Sequence, residues 1–465
     1  MSYDLIIKGG TVTTACDQYE ADVAVSKGRI VAIAQDIPVN GTKAVDAKGL
    51  LVMPGGIDVH THLDMPFMGA TTADDFTTGT TAAVCGGTTC IIDFAIQKKG
   101  GTLRGALDEW HEKADGKCAV DYGFHMIVAD LPENAVKEMD KIVDEGVPSF
   151  KLFLAYPGVF MSDDATIFRA LMRTKENGGM VSMHAENGQV IDILVKQAVA
   201  DGRAEPKWHP VTRPIAAEAE ATRRAIALAE MAGAPMYIVH LTCAAALDEV
   251  RRARERGLSV CAETCPQYLY LSQEDYERPG FEGAKFVMSP PLRPKENQEA
   301  LWQGLANNSL QIVSTDHCSF NMKAAGGKIG KELGKKDFSK IPNGAPGIET
   351  RMVLMWDGVA KGRLSANRFV DITATTPAKM FGLYPRKGTI APGADADILL
   401  LDPNKKSTIS AKTHHMNVDY SPYEGMTVAC SVQDVFVRGE QMVKAGKFVD
   451  KHSHGKFQRR APRVS

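Results

Sequence analysis

Two histidines, His60 and His62, follow a short run of apolar residues near the start of the chain. Residues 57–59 predict a buried strand, and Pro54 with Gly55 keeps the preceding residues out of a helix. Side chains two positions apart on a strand point to the same face, so both imidazoles can reach one metal ion. The pair alone is a weak signal, since polar residues that simply end a core strand give the same pattern. The other strand ends therefore decide whether this pair binds metal.

Further polar residues stand where later apolar runs end. A single histidine at such a position is more often a hydrogen-bonded structural residue than a metal ligand. Several of them, however, meet at one place if the strands form a barrel, because the chemistry of parallel barrels lies at the carboxyl ends of the strands. Imidazoles with a carboxylate suit a borderline metal such as zinc. The candidates that join His60 and His62 are Lys151, Tyr156, His184, Glu186, His240, Asp316 and His317.

Lys151 is unusual among these candidates because a lysine is not an ordinary metal ligand. Lys151 interrupts the apolar run 150–153, where an ammonium would be desolvated and repelled by metal ions. Either its charged end extends to the barrel rim, or the amine is carbamylated by CO2 and becomes an anion that bridges two metals. The spacing does not decide between them.

His317 directly follows Asp316 and is expected to face away from it, and His209 is expected at the surface.

The elements that must position these residues follow a regular order. Strand, loop and helix alternate eight times between residues 53 and 385, which predicts an α/β fold, a (β/α)8 TIM-like barrel. Residues 1–52 and 386–465 are strand-like and predict the two halves of one small β-sandwich. The predicted barrel strands centre on residues 57–59, 90–95, 122–128, 150–154, 180–183, 236–239, 258–262 and 310–314, and helical patterns include 103–114, 134–145 and 216–232.

Composition narrows the class of protein. The 465 residues are 44% hydrophobic and 24% charged, with a formal charge of -2 and a pI of about 6.6, which indicates a globular protein and neither a nucleic-acid nor a membrane partner. No secretory signal or membrane-spanning run is evident, and the nine scattered cysteines suggest reduced thiols in the cytoplasm.

The basic residues after 450 predict a solvated terminus or a subunit contact, and the lysine-rich stretch 323–340 predicts a mobile loop after the eighth strand.

In these residues and the motifs around them, the chain resembles the dihydropyrimidinase/D-hydantoinase family of cyclic amidohydrolases, within the metal-dependent amidohydrolase superfamily. The resemblance covers essentially the full length. The segments that carry it are PGGIDVHTH at 54–62, SFKLFLAY at 149–156, HAEN at 184–187, IVHLT at 238–242, AETC at 262–265, STDHC at 314–318, IPNGAPG at 341–347 and GADAD at 393–397.

The resemblance implies two zinc ions per subunit. One would be held by His60, His62 and Asp316 and the other by His184 and His240, with carboxylated Lys151 (N6-carboxylysine) and a hydroxide bridging them. It also implies that Tyr156 stabilises the oxyanion and that Asp316 shuttles the proton. The backbone groups of Ser289 and Asn343 would hold the ring amide. The implied substrates are 5,6-dihydropyrimidines or 5-substituted hydantoins, opened to N-carbamoyl amino acids, and the implied assembly is a homotetramer.

Relatives of this family give the alternative functions. Dihydroorotases usually carry an arginine two residues after the His-x-His pair, where this chain has Asp64. Allantoinases resemble the chain but generally lack the tyrosine found at Tyr156. Non-enzymatic scaffold homologues have lost metal ligands that this chain keeps. The sequence therefore favours a hydantoinase or dihydropyrimidinase, with an allantoinase-like enzyme or a scaffold protein as alternatives.

Apolar residues near the predicted barrel mouth are candidates for setting which ring substituents are accepted. The resemblance places the family's substituent-gating loops at these segments, although ordinary core packing would also explain each residue. Substrate pockets are mostly apolar with few polar groups. The candidates are Leu63, Met65, Phe67, Met68, Phe153 and Phe160.

Overall fold

The computed structural model describes residues 3–67 and 69–463. The first part of the chain forms strands, two of which make a tight hairpin. Its two-residue turn consists of Lys27 and Gly28, whose φ angles are +52° and +75°; positive φ at both positions is what the favoured tight hairpin turn requires. The strands are β1 (Leu5–Thr13), β2 (Gln18–Ser26), β3 (Arg29–Ala34), β4 (Lys43–Asp46) and β5 (Leu51–Pro54).

Eight parallel strands then form the predicted barrel, in the order β15-β14-β13-β12-β11-β10-β9-β6. Every residue of β9 and β10 is buried, as expected for strands covered on both faces. A small hairpin, β7 with β8, follows the first barrel strand. The strands are β6 (Gly56–Thr61), β7 (Pro66–Phe67), β8 (Ala70–Thr71), β9 (Thr88–Ile96), β10 (Asp121–Ile127), β11 (Ser149–Phe153), β12 (Met180–His184), β13 (Met236–Ile238), β14 (Val260–Thr264) and β15 (Ile312–Val313).

The last and first barrel strands meet through side chains as well as backbone. The carboxylate of Asp58 accepts the Thr315 backbone N–H at 3.1 Å and the Thr315 hydroxyl at 2.6 Å. The His62 N–H donates to the His317 carbonyl at 2.8 Å, beside a parallel bridge between Thr61 and His317. These contacts bring the end of the eighth strand, which carries Asp316, against the histidines of the first.

Both ends of the chain join in one nine-stranded sheet, in the order β21-β20-β19-β16-β5-β1-β2-β3, with β4 also beside β1. The antiparallel pairing of β5 with β16 links the two ends and confirms that they form one β-rich unit. The strands of the second half are β16 (Ile398–Asp402), β17 (Ser407–Thr408), β18 (Thr427–Val428), β19 (Ser431–Val437), β20 (Glu440–Lys444) and β21 (Lys447–Phe448).

Helices cover the outside of the barrel. The predicted helix at 134–145 is shorter than expected, because its first turn is a separate 3-10 turn and the α-helix begins at Glu138. The helices are α1 (Phe76–Cys85), α2 (Leu103–Ala114), α3 (Glu138–Asp144), α4 (Asp164–Asn177), α5 (Gly188–Ala200), α6 (Trp208–Val211), α7 (Ile215–Ala232), α8 (Ala244–Glu255), α9 (Pro266–Tyr270), α10 (Glu296–Ala306), α11 (Arg351–Ala360), α12 (Ala366–Val370) and α13 (Thr376–Met380).

The basic C-terminal segment packs against the barrel and is not merely a solvated tail. The Gln458 N–H donates to the Tyr122 carbonyl at 2.7 Å, at the start of β10. The guanidinium of Arg460 is buried and donates to the hydroxyl of Ser149 at 2.8 Å and to the carbonyl of Phe124. Since these contacts lie near the amino-terminal ends of β10 and β11, the segment closes the end of the barrel opposite to His60.

The stretch expected to be a mobile loop also has fixed contacts. It contains two 3-10 turns, and both Lys331 and Phe338 are buried. Lys331 points inward, whereas the other lysines of the stretch are exposed or half-buried, and the mobility of the loop stays a prediction. Across the described residues, no helix is long and apolar enough to cross a membrane.

Candidate active site

The polar residues predicted from the strand ends meet at one mouth of the barrel. His60 and His62 lie at the end of β6, Lys151 on β11 and His184 at the end of β12, and all four are at least 94% buried. His240 lies two residues after the end of β13 and Asp316 three residues after the end of β15, and both have a positive φ, +36° and +49°. Such backbone is uncommon for non-glycine residues and often accompanies functional positions.

These residues form two sets of close contacts. On one side, Asp316 Oδ1 lies 3.2 Å from His60 Nε2 and 3.3 Å from His62 Nε2. On the other, His184 Nδ1 lies 3.0 Å from His240 Nε2. Lys151 joins the first set, with its Nζ 2.9 Å from His60 Nε2. His60, His240 and Asp316 also form a cluster across the two sets, in which one ligand atom of each residue lies within 4.8 Å of the others.

This donor set fits a bound cation. Burial holds the pKa of each of the four imidazoles below its ordinary value, most strongly for His60 and His240, so the rings are neutral and keep a lone pair. Within the described part of the chain, the Nδ1 atoms of His62 and His240 are buried without a hydrogen-bond partner. Neutral imidazoles crowded around a carboxylate are the ligands that transition metals prefer.

The electrostatics of the lysine and the aspartate follow from the same crowding. Burial lowers the pKa of Lys151, although the carboxylates of Asp316 and Glu263 oppose that change. Burial acts to raise the pKa of Asp316. The nearby His60 and His62 have a larger opposite effect and lower the pKa to about 2. The site therefore contains an ionised carboxylate next to an amine that loses its proton more readily than an exposed lysine does.

Carboxylates behind the histidines fix their orientation; Glu186 was among the strand-end candidates, whereas Glu263 was not. Glu263 at the end of β14 lies 2.5 Å from His60 Nδ1, and its other oxygen accepts the Tyr237 hydroxyl at 2.8 Å. Glu186 lies 2.9 Å from His184 Nε2 and accepts a bond from Arg213 at 2.9 Å. Each contact turns the remaining ring nitrogen and its lone pair toward the centre. A single acidic residue within the apolar run 260–264 was the signal that could have identified Glu263.

His317 turns away from the site, as expected from its position next to Asp316. Its Nε2 lies 3.1 Å from Asp74, and its Nδ1 accepts the N–H groups of Gly347 and Ile348 at 3.1 and 3.3 Å. His209 does not follow expectation. It is buried, and its Nε2 donates to the Met288 carbonyl at 2.8 Å.

A cavity of about 50 Å³ opens beside the buried polar residues. One wall is aromatic: the rings of Phe67, Phe153, Tyr156 and Phe160 pack with centroid separations from 5.1 to 6.5 Å. Leu63 is not part of the lining and instead packs in the core, and Met68 lies outside the described residues. The predicted residues that do line the cavity are His62, Met65, Phe67, Lys151, Phe153, Tyr156, Phe160, His184, His240, Ser289, Asp316 and Asn343.

Tyr156 is the hydroxyl donor of this wall. Its backbone φ is +64°, which places the residue in a conformation uncommon for a tyrosine. Burial raises the pKa of the Tyr156 phenol to about 12, so the hydroxyl keeps its proton at neutral pH and can donate a hydrogen bond.

The opposite wall is held by a lysine that the sequence did not single out. The carbonyl of Val287 accepts hydrogen bonds from the Gly344 N–H at 3.0 Å and from Lys331 Nζ at 2.8 Å. Because Val287 and Gly344 are close neighbours of Ser289 and Asn343 in the chain, these bonds tie together the two backbone segments that face the cavity.

A second cluster of acidic residues does not resemble a metal site. Asp121, Asp395 and Asp397 are buried close together, but the ammonium of Lys387 already lies within 2.6 to 3.2 Å of a carboxylate oxygen of each. Asp121 also pairs with Arg438. This network joins the bottom of the barrel to the nine-stranded sheet.

Comparison with known proteins agrees with this geometry. Residues 51–442 match the amidohydrolase family. The chain is 54% identical to a D-hydantoinase of Streptomyces coelicolor, over 99% of both chains, and 50% identical to a D-hydantoinase of Geobacillus stearothermophilus, over 98% of this chain and 96% of the relative. The crystal structure of a dihydropyrimidinase from Brevibacillus agri superposes with a TM-score of 0.97 at 51% identity, covering 99% of both chains. By fold, site and full-length similarity, this chain belongs to the amidohydrolase family.

Proposed function

We propose that the protein is a metal-dependent hydrolase that opens the cyclic amide bond of 5-substituted hydantoins or 5,6-dihydropyrimidines and releases N-carbamoyl amino acids. The observation that carries the proposal is the convergence of four neutral, buried histidines, Lys151 and Asp316 beside a cavity with a protonated tyrosine. The similarity to D-hydantoinases and a dihydropyrimidinase over the full length supports the same reaction.

We propose two zinc ions as the cofactors. His60, His62 and Asp316 would hold one ion, His184 and His240 the other, and carboxylated Lys151 would bridge them. Only a neutral amine reacts with CO2, and the burial that lowers the pKa of Lys151 makes that form more available. When bound, the metals would lower the pKa of a coordinated water, so that a hydroxide nucleophile exists near neutral pH, and would polarise the amide carbonyl.

The residues of the chain then carry out the remaining steps. The Tyr156 hydroxyl donates a hydrogen bond to the carbonyl oxygen as negative charge develops on it. Asp316, ionised because its pKa is about 2, accepts the proton of the attacking water and passes it to the ring nitrogen as the C–N bond breaks. Backbone groups at Ser289 and Asn343 orient the ring amide, and Phe67 with Phe153 forms the apolar wall against the rest of the ring.

One comparison of rates tests this proposal. Initial rates on hydantoin, 5,6-dihydrouracil, allantoin and dihydroorotate are measured with the metal content of the same sample. We expect turnover of hydantoin or dihydrouracil well above that of the other two. The proposal is wrong if a fully metal-loaded sample opens none of the four rings, or if allantoin is the preferred substrate.

The other proposals concern assembly, location and domain limits. We propose a homotetramer, as the resemblance implies; apolar side chains on the outside of α5, such as Ile193 at 64% exposure, are compatible with a subunit contact. We propose a cytoplasmic location because all nine cysteines are free thiols. We propose three units with the limits 1–52, 53–385 and 386–465. Strand β5 of the nine-stranded sheet ends at Pro54, two residues beyond the first of these limits.

A further inference from the structure

Two basic side chains hold consecutive backbone carbonyls in one wall of the reaction cavity. The carbonyl of Val287 accepts a hydrogen bond from Lys331 Nζ at 2.8 Å, and the carbonyl of Met288 accepts one from His209 Nε2 at 2.8 Å. The next residue, Ser289, lines the cavity. His209 lies in α6 and Lys331 in the loop after β15, so two distant parts of the chain fix the backbone that leads to Ser289.

The carbonyl of Val287 also holds the neighbouring part of the wall. It accepts the Gly344 N–H at 3.0 Å. Gly344 in turn packs closely against Cys318, because a Cβ at position 344 would clash with the Cys318 carbonyl oxygen. Asn343 and Gly344 both line the cavity. The bond from Lys331 therefore acts on both backbone segments that face the space for the ring.

Packing alone does not account for a lysine at this position. The side chain of Lys331 is fully buried, and among the described residues it has no carboxylate at ion-pair distance and the Val287 carbonyl is its one hydrogen-bond acceptor. A buried amine with a single acceptor has N–H groups left unsatisfied, which destabilises the fold. Burial lowers the pKa of Lys331 to about 7 and that of His209 to about 3, and the neutral imidazole keeps one N–H for Met288.

We propose that Lys331 and His209 are positioning residues that set the affinity of the enzyme for the ring amide. Each side chain holds one carbonyl, and the two bonds together fix the direction in which the backbone of Ser289 faces the ring. The inference rests on the proposed hydrolysis of cyclic amides and adds to it two residues that act through the backbone. Because such contacts hold the bound substrate and the transition state alike, their loss should raise KM and leave kcat nearly unchanged.

The test removes each hydrogen-bond donor and keeps the size of its side chain. Lys331→Met and His209→Phe are the two variants. Lys340→Met is the matched control, because Lys340 lies in the same loop, nearer to Asn343 in the chain, and its side chain is 65% exposed. KM and kcat for hydantoin are measured on the metal-loaded enzyme, together with metal content. Each of the first two variants should raise KM about three- to tenfold, the scale of one lost hydrogen bond, and change kcat by less than about twofold. Lys340→Met should leave both constants unchanged.

Hydrogen exchange gives a readout that does not depend on turnover. The Gly344 N–H, which donates to the Val287 carbonyl, should exchange about three- to tenfold faster in Lys331→Met, because the carbonyl is no longer held by the lysine. In Lys340→Met the exchange should be unchanged. A purely structural role of Lys331 predicts a different result, a lower Tm with KM unchanged.

The possible failures give different results. If Lys331→Met and His209→Phe are folded and metal-loaded but keep KM within about twofold, or lower kcat with KM unchanged, the two residues do not position the ring amide and the inference is wrong. Should Lys331→Met not fold, His209→Phe decides the question by the same criterion. If the unsubstituted enzyme with full metal content opens no cyclic amide, the proposed function itself fails, whereas exchange at Gly344 still shows whether Lys331 holds the wall.

Discussion

Glu263 offers the sharpest test of how the site is held together. Its carboxylate lies 2.5 Å from His60 Nδ1 and also accepts the Tyr237 hydroxyl at 2.8 Å and the His240 N–H at 3.2 Å. Glu263→Gln keeps the size of the side chain and one carbonyl oxygen for His60. Burial raises the pKa of Glu263 to about 8, and a cation bound at His60 favours the ionised form. The substitution removes that ionisable carboxylate, whose charge makes the imidazole a better donor of its other lone pair to the cation.

The expected cost follows from the role of such partners. Changing a hydrogen-bonded carboxylate behind a ligating histidine typically weakens metal binding about 10–100-fold, which corresponds to about 1.4–2.7 kcal/mol. Because Glu263 also touches the backbone of His240, the effect should lie toward the upper end of that range. Tyr237→Phe is the matched control: it removes one of the three hydrogen bonds and keeps the charge, so metal affinity should fall by less than about tenfold.

The assay measures zinc affinity by competition with a chelator of known affinity, and kcat at saturating zinc. Circular dichroism of each variant checks that the barrel is folded. If folded Glu263→Gln binds zinc within about twofold of the unsubstituted protein and keeps its kcat, then the contact with His60 does not prepare the histidine for metal binding, and the reasoning is refuted.

Three further predictions follow from other contacts. Lys151→Ala should lose bound metal and activity together, with partial recovery in acetate or propionate; mass spectrometry showing an unmodified Lys151 in the active, metal-loaded enzyme would contradict the bridging role. Tyr156→Phe should lower kcat about 10²–10³-fold with metal content unchanged, the usual cost of losing one donor to an oxyanion, and an unchanged kcat would reduce the tyrosine to a packing residue. Lys387→Met should destabilise the fold by about 3–5 kcal/mol in urea unfolding, because it strands buried carboxylates. The exposed pair of Lys196 with Asp192 is the control, and Lys196→Met should cost at most about 1 kcal/mol.

The sequence alone predicted the architecture and the polar residues that meet at the mouth of the barrel. Fully buried strands alternate with amphipathic helices, and that periodicity is local, so it can be read from neighbouring residues. The barrel rule then placed His60, His184 and Asp316 at one mouth because parallel strands end on the same side. The helix predicted at 103–114 has the observed limits of α2, for the same reason of local pattern.

Only the tertiary structure decided what surrounds those residues. Glu263 is 203 positions from His60 in the chain, and Asp74 is 243 positions from His317, so no local pattern links either pair. The charged residues around Lys331 and Arg460 suggest exposed side chains, yet both side chains are buried. A charged side chain becomes buried when distant backbone carbonyls are positioned to accept its hydrogen bonds, and those acceptors exist only once the strands have closed into a barrel.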